Sequence, residues 1–213
     1  MNELINAIFV IILALNLFAL GSSRIISVIR IVALQGVLMG LLPLFIHSHL
    51  TFTAILSSAA AISLKGFVIP SIMIKALRDV QIKREVEPLF GLLPCTIIGA
   101  LVTAAVFLIC GRGNAVGQSE LSLIIPTSIT VVLIGFILLT TRLKSLTQVL
   151  GYLVLENGIY MFSLLLLEAI PLVVEMGMLL DLFVSIFIVS IINNKINRTF
   201  ASLDTRNLSS LKE

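Results

Sequence analysis

The sequence predicts an all-α integral membrane protein of about seven transmembrane helices in a 3+1+3 arrangement, and three observations carry this expectation. Of its 213 residues, 59% are hydrophobic and only 12% are charged, against roughly half and about a quarter in a soluble domain. Mean hydropathy is +1.18. A helix crossing a bilayer needs about 20 apolar residues, so about 30 per span and connection leaves space for about seven helices and none for a soluble catalytic domain. Third, the basic residues are distributed by topology.

Hydropathy places the spans at Leu4–Gly21, Ile25–Ile46, Phe52–Leu77, Leu89–Gly111, Leu121–Thr141, Ser145–Leu167 and Leu172–Ile196. The first run has no basic residue before it and no small-residue cleavage pattern after it, so it reads as a retained helix. Connections one, three and five and the C-terminal tail carry Arg24, Arg30, Lys75, Arg78, Lys83, Arg84, Arg142, Lys144, Lys195, Arg198, Arg206 and Lys212, whereas the opposite side carries only Arg112. Cytoplasmic connections retain positive charge. The asymmetry is self-consistent only for an odd number of spans, with the N-terminus outside and the C-terminus cytoplasmic. The chain then divides into a first three-helix unit (1–78), a cytoplasmic loop with an extra helix (79–111), a second three-helix unit (112–196) and a polar cytoplasmic tail (197–213), which is either frayed or ordered against a soluble partner.

Several classes of function are disfavoured. Cys95 and Cys110 lie in one apolar run at a helical separation of about 22 Å, far beyond disulfide reach, and two thiolates do not complete an iron–sulfur site. His47 and His49 share a short loop without a further ligand, so no metal is expected. There is no Gly-rich phosphate loop and no Ser/His/Asp arrangement. The isoelectric point of about 9.1 reflects topology, not a stripe for nucleic acid. The chain therefore reads as a non-enzyme without a cofactor.

Three charges stand away from helix ends. Lys65 in the third span, Glu156 in the sixth and Asp181 in the seventh each lie roughly 13 to 18 Å below the surface, where an ionised side chain costs about 2.5 to 3.5 kcal/mol. One reading is a structural ion pair of Lys65 with Glu156 or Asp181. Such pairs contribute little net stability, because desolvation offsets the attraction. The other reading is a hydrated path of groups that change protonation. Asn157, Gly158, Tyr160 and Gln148 give the sixth helix a polar stripe, and Ser185 lies one turn from Asp181. Glu175 is about 120° round the helix from Asp181, so it fits a path role and an interface position equally. Pro70 removes its own amide donor and frees the carbonyl four residues back, so the third span should be kinked or loosened beside Lys65. Pro126 reads as a helix-start proline.

Spans one to three and five to seven form a weak parallel repeat. Laying Lys65 on Asp181 matches Leu64 with Leu180, Phe67 with Phe183, Val68 with Val184 and Ile72 with Ile188, and Gln35–Gly36 falls near Glu156–Asn157–Gly158.

The stretch Gln148-Val-Leu-Gly-Tyr-Leu-Val-Leu-Glu156-Asn157-Gly158, followed by Val174-Glu175-Met-Gly-Met-Leu-Leu-Asp181, resembles the hydrogenase-4 component E family, a membrane component of formate hydrogenlyase-type complexes. Leu203–Asp204 and Asn207 to Lys212 are similar to that family's C-terminus, and Lys65 with Pro70 fits its third helix. The last three helices are in turn similar to the K subunit of respiratory complex I and the matching subunit of cation/proton antiporters. Glu156 falls on the first of that family's two intramembrane glutamates. Asp181 falls on the second, as the shorter aspartate.

The resemblance implies a non-redox subunit of a membrane-bound hydrogenase in the prokaryotic cytoplasmic (inner) membrane. Its expected neighbours are antiporter-like and other membrane subunits, soluble hydrogenase and iron–sulfur subunits on the cytoplasmic side, and lipid. Glu156, Asp181 and Lys65 are the expected proton or sodium relay, with Glu175, Gln148, Asn157, Tyr160, Gln35 and Ser185 as relay or support. The alternatives are a purely structural membrane anchor, the small subunit of a cation/proton antiporter, and a free-standing secondary transporter. That last class commonly has inverted repeats and several broken helices, whereas here only Pro70 sits well inside a span.

Overall fold

The computed structural model describes residues 2–46, 52–79, 88–112 and 123–164, and they form helices throughout. Helix α1 is Asn2–Gly21 and α2 is Ile25–Ile46. The third span is built in three pieces: α3 (Phe52–Ala61), a π-helical segment Ile62–Val68, and α4 (Ile69–Asp79). Then follow α5 (Leu92–Arg112), α6 (Ile124–Thr141) and α7 (Ser145–Ser163). The predicted seventh span, the tail, and His47 and His49 lie outside the described residues.

Among the described residues, five helical stretches are long and apolar enough to cross a membrane: Glu3–Gly21, Ile25–Phe45, Ser58–Arg78, Leu92–Gly111 and Ile124–Thr141. They match the first five predicted spans. Helix α7, the predicted sixth, falls short of them in apolar content because it carries Gln148, Glu156 and Asn157. It is also the helix whose residues from Leu153 to Gly158 are all buried. A helix shielded by its neighbours can hold polar groups that lipid would penalise.

Sequence explains how these helices close. Helix α6 packs most extensively on α7, where Gly135 lies against the Leu155 backbone, Gly151 against the backbone of Leu138 and Leu139, and Gly158 against Val132. Without side chains at these positions the two backbones approach directly, which is how helices associate when lipid supplies no hydrophobic drive. Helix α2 meets the third span in the same way: a Cβ on Gly36 would stand 2.6 Å from Lys65 Cβ, and one on Gly40 would stand 2.6 Å from Ile62 Cγ1.

One end of the bundle is tied by Arg142. Its Nη2 donates to the carbonyls of Ala19 at 3.3 Å and Leu20 at 3.0 Å, the last turn of α1, where acceptors lack helical partners. Pro88 pairs with Arg142 in an isolated antiparallel bridge, and the Leu89 amide donates to the Thr141 carbonyl at 2.8 Å. The end of α1, the start of α5, the end of α6 and the start of α7 therefore lie together. Arg142 belongs to the basic set that predicts topology, yet it is 2% exposed. It is a carbonyl cap and not a solvated surface charge. Burial pulls its guanidinium below the usual value and the nearby Cys95 opposes that, leaving a group that stays charged.

Candidate functional site

The π-helical segment is where Pro70 acts. Having no amide of its own, Pro70 leaves the preceding turn free to widen, and the Ile69 amide reaches back five residues to the Leu64 carbonyl. The loosening expected beside Lys65 thus takes the form of a π segment with Lys65 in its middle. Lys65 is 8% exposed. Gly36 lies against the base of its side chain, which leaves the ammonium to extend toward α7.

There α7 presents three groups to it. Lys65 Nζ is 3.1 Å from Glu156 Oε1 in an ion pair, and it donates to Asn157 Oδ1, also at 3.1 Å. The ammonium stands 5.2 Å from the centre of the Tyr160 ring, within cation–π range. Glu156 and Tyr160 are one turn apart, so both face the same way with Asn157 at their side. Glu156 and Asn157 are 3% and 2% exposed. Beside the pair is a cavity of about 10 Å³, lined by Ile29, Val32, Met73, Leu150 and Leu153 among others. That is about the space of a single water.

Of the residues singled out from sequence, the structure brings together Lys65, Glu156, Asn157 and Tyr160. Gln148 lies elsewhere: its Nε2 donates at 3.0 Å to the Arg142 carbonyl at the start of α7. Gln35 is buried and turned to α1, where its Nε2 donates to Asn16 Oδ1 at 3.4 Å. Asp181, Glu175 and Ser185 lie outside the described residues. Sequence reasoning missed Asn16, although an asparagine in an otherwise apolar helix is itself a signal. It also missed Gly36 and Gly40. Their four-residue spacing is the small-residue pattern of close helix contacts, and it sets the distance at which Lys65 meets α2.

Fold and site together define a multi-pass helical membrane protein with a lysine–glutamate pair buried among its described helices. The chain is a homologue of hydrogenase-4 component E: it is 26% identical to that protein of Escherichia coli (strain K12) over 155 residues, 73% of this chain and 72% of the relative. The Shigella flexneri protein of the same description gives the same figures. The chain is also 27% identical over 189 residues, 88% of this chain and 86% of the relative, to the uncharacterized protein Rv0085 of Mycobacterium tuberculosis (strain ATCC 25618 / H37Rv). No protein-family model and no solved structure matches it.

Proposed function

We propose that this chain is the non-redox membrane subunit of a hydrogenase complex of the hydrogenase-4 or formate hydrogenlyase type, seated in a prokaryotic cytoplasmic membrane. In this reading Glu156, Lys65 and Asp181 belong to a path that moves protons or sodium ions while other subunits carry out hydrogen chemistry. Its neighbours are antiporter-like membrane subunits and, on the cytoplasmic side, hydrogenase and iron–sulfur subunits. Homology to hydrogenase-4 component E supports the membership. The observation that carries the relay is the 3.1 Å contact of Lys65 with Glu156 in the bundle interior.

The pair has the chemistry of a switch. When Glu156 takes a proton it loses its attraction for the ammonium, but the Asn157 oxygen and the Tyr160 ring still hold Lys65. These neutral partners keep the lysine from being stranded without a ligand, the state that makes broken buried pairs costly. Protonation of one carboxylate then shifts the ammonium between partners, and a shifted charge alters the proton affinity of the next group.

Glu156→Gln in the assembled complex tests the reading. The expected outcome is intact assembly and hydrogen turnover with an artificial electron acceptor, while ion translocation falls to background. Wild-type turnover and wild-type translocation in the assembled variant refute the relay. Loss of assembly favours the structural anchor, and a chain that purifies alone and moves a solute favours the transporter.

A further inference from the structure

A second feature lies away from the ion pair: a cleft of about 680 Å³ between the last turns of α1, the first turns of α2 and the start of α5. Its size falls within the roughly 300–1,000 Å³ of small-molecule sites. The walls are graded. Leu17, Phe18 and Ile31 line the deeper part, whereas Ser22, Ser27 and Thr96 place three hydroxyls at the end of the helices. From Ala14 to Gly21 the apolar wall runs about 10 Å along α1. Gly21 closes the floor, since a Cβ there would stand 3.2 Å from Thr96 Oγ1.

Two arginines flank the cleft just outside its lining residues. Arg24 stands between Ser22 and the first residue of α2, and Arg30 precedes Ile31; both are exposed, and neither makes an ion pair among the described residues. The start of α2 adds the positive end of its helix dipole at this level. The cleft is open along α1, where Phe18 is 70% exposed.

We infer that this cleft is a binding site for an anionic phospholipid, its acyl chain along Leu17, Phe18 and Ile31 and its phosphate among Ser22, Ser27, Arg24 and Arg30. A helix from another subunit would bring an apolar surface to the whole wall and leave the two exposed arginines unmatched. A zwitterionic lipid would leave the cationic excess uncompensated. An anionic lipid matches both ends.

The full chain, with whatever partners purify with it, is placed in phosphatidylcholine bilayers containing spin-labelled phosphatidylglycerol or spin-labelled phosphatidylcholine. The motionally restricted fraction of each label is then read by electron paramagnetic resonance. The expected result is a preference for phosphatidylglycerol that weakens with salt and drops about fivefold for each of Arg24→Gln and Arg30→Gln. Ala14→Trp, which fills the deep wall from an exposed position, should reduce the restricted fraction of both labels. Lys75→Gln, an exposed cation at the end of α4, should change nothing. Unchanged elution and thermal unfolding establish that each variant is folded. Equal restriction of the two lipids in the wild type overturns the assignment. So does a preference that survives both arginine substitutions, or one that falls as far with Lys75→Gln.

Discussion

Lys65 and Glu156 constrain each other because both side chains are buried among the helices. Replacing Lys65 by methionine leaves the Glu156 carboxylate buried without its cation, at a cost of about 3–5 kcal/mol in comparable buried pairs. The double variant Lys65→Met/Glu156→Leu removes both charges and should recover most of that loss, since apolar replacement of a whole buried pair is often close to neutral. Thermal unfolding of the two variants in the same lipid checks this, and a double variant no more stable than the single one rules out the pairing. The measurement also separates stability from transport: on the reading above, the double variant is well folded and moves no ions. Each charge stood out in the sequence from the lipid cost alone. A pairing of Lys65 with Glu156 or Asp181 was one reading of the sequence, but the choice of Glu156 was not legible, because helical spacing says nothing about which of several apolar helices a lysine will meet.

The elements are held by absent side chains as much as by present ones. Gly36→Leu would drive new atoms into the space of Lys65 Cβ, where even a Cβ comes to 2.6 Å. Overpacking of this kind costs about 1–3 kcal/mol, and here it should also displace the ammonium from α7. Gly111, near the end of α5, has nothing among the described residues within 4 Å of an added Cβ, so Gly111→Leu is expected to be neutral. Comparing the two by thermal unfolding tests whether close approach, and not helix propensity, is the cause. The third span shows how far a local rule extends. Pro70 dictates that the backbone loosens near Lys65, but whether it bends or widens depends on what packs beside it. With Gly36 and Gly40 of α2 close by, it widens into a π segment along the helix.

At the scale of the whole molecule, Arg142 joins α1 to the α6–α7 turn and to the start of α5. Arg142→Leu leaves the Ala19 and Leu20 carbonyls without their donor, at about 1–3 kcal/mol for each group that stays dry; Lys75→Gln, on an exposed cation of α4, should leave stability unchanged. Unfolding temperatures distinguish the two. The same tie groups Ser22, at the end of α1, with Leu143, between α6 and α7. Cysteines introduced one at a time at Ser22 and Leu143 in a Cys110→Ala background, where the remaining Cys95 is buried, should therefore react with a membrane-impermeant maleimide from one side only, the cytoplasmic one by the charge rule. A cysteine at Glu3 should react from the other. Labelling of Ser22→Cys and Leu143→Cys from opposite sides would contradict both the charge rule and the Arg142 tie.

Hydropathy and charge determined where the apolar helices run, because a bilayer demands a fixed length of satisfied backbone and penalises charge at depth. They also singled out Lys65, Glu156 and Asp181, which no lipid-facing helix would carry without cost. Tertiary structure decided which faces meet. In a membrane the outside is as apolar as the core, so Leu101 at 64% exposure and Leu42 at 0% are the same residue to a hydropathy scale. Close packing across glycines such as Gly36, Gly135, Gly151 and Gly158 helped select partners, and the resulting arrangement set Lys65 against Glu156, turned Gln35 toward Asn16, and drew Arg142 out of the basic surface to the end of α1.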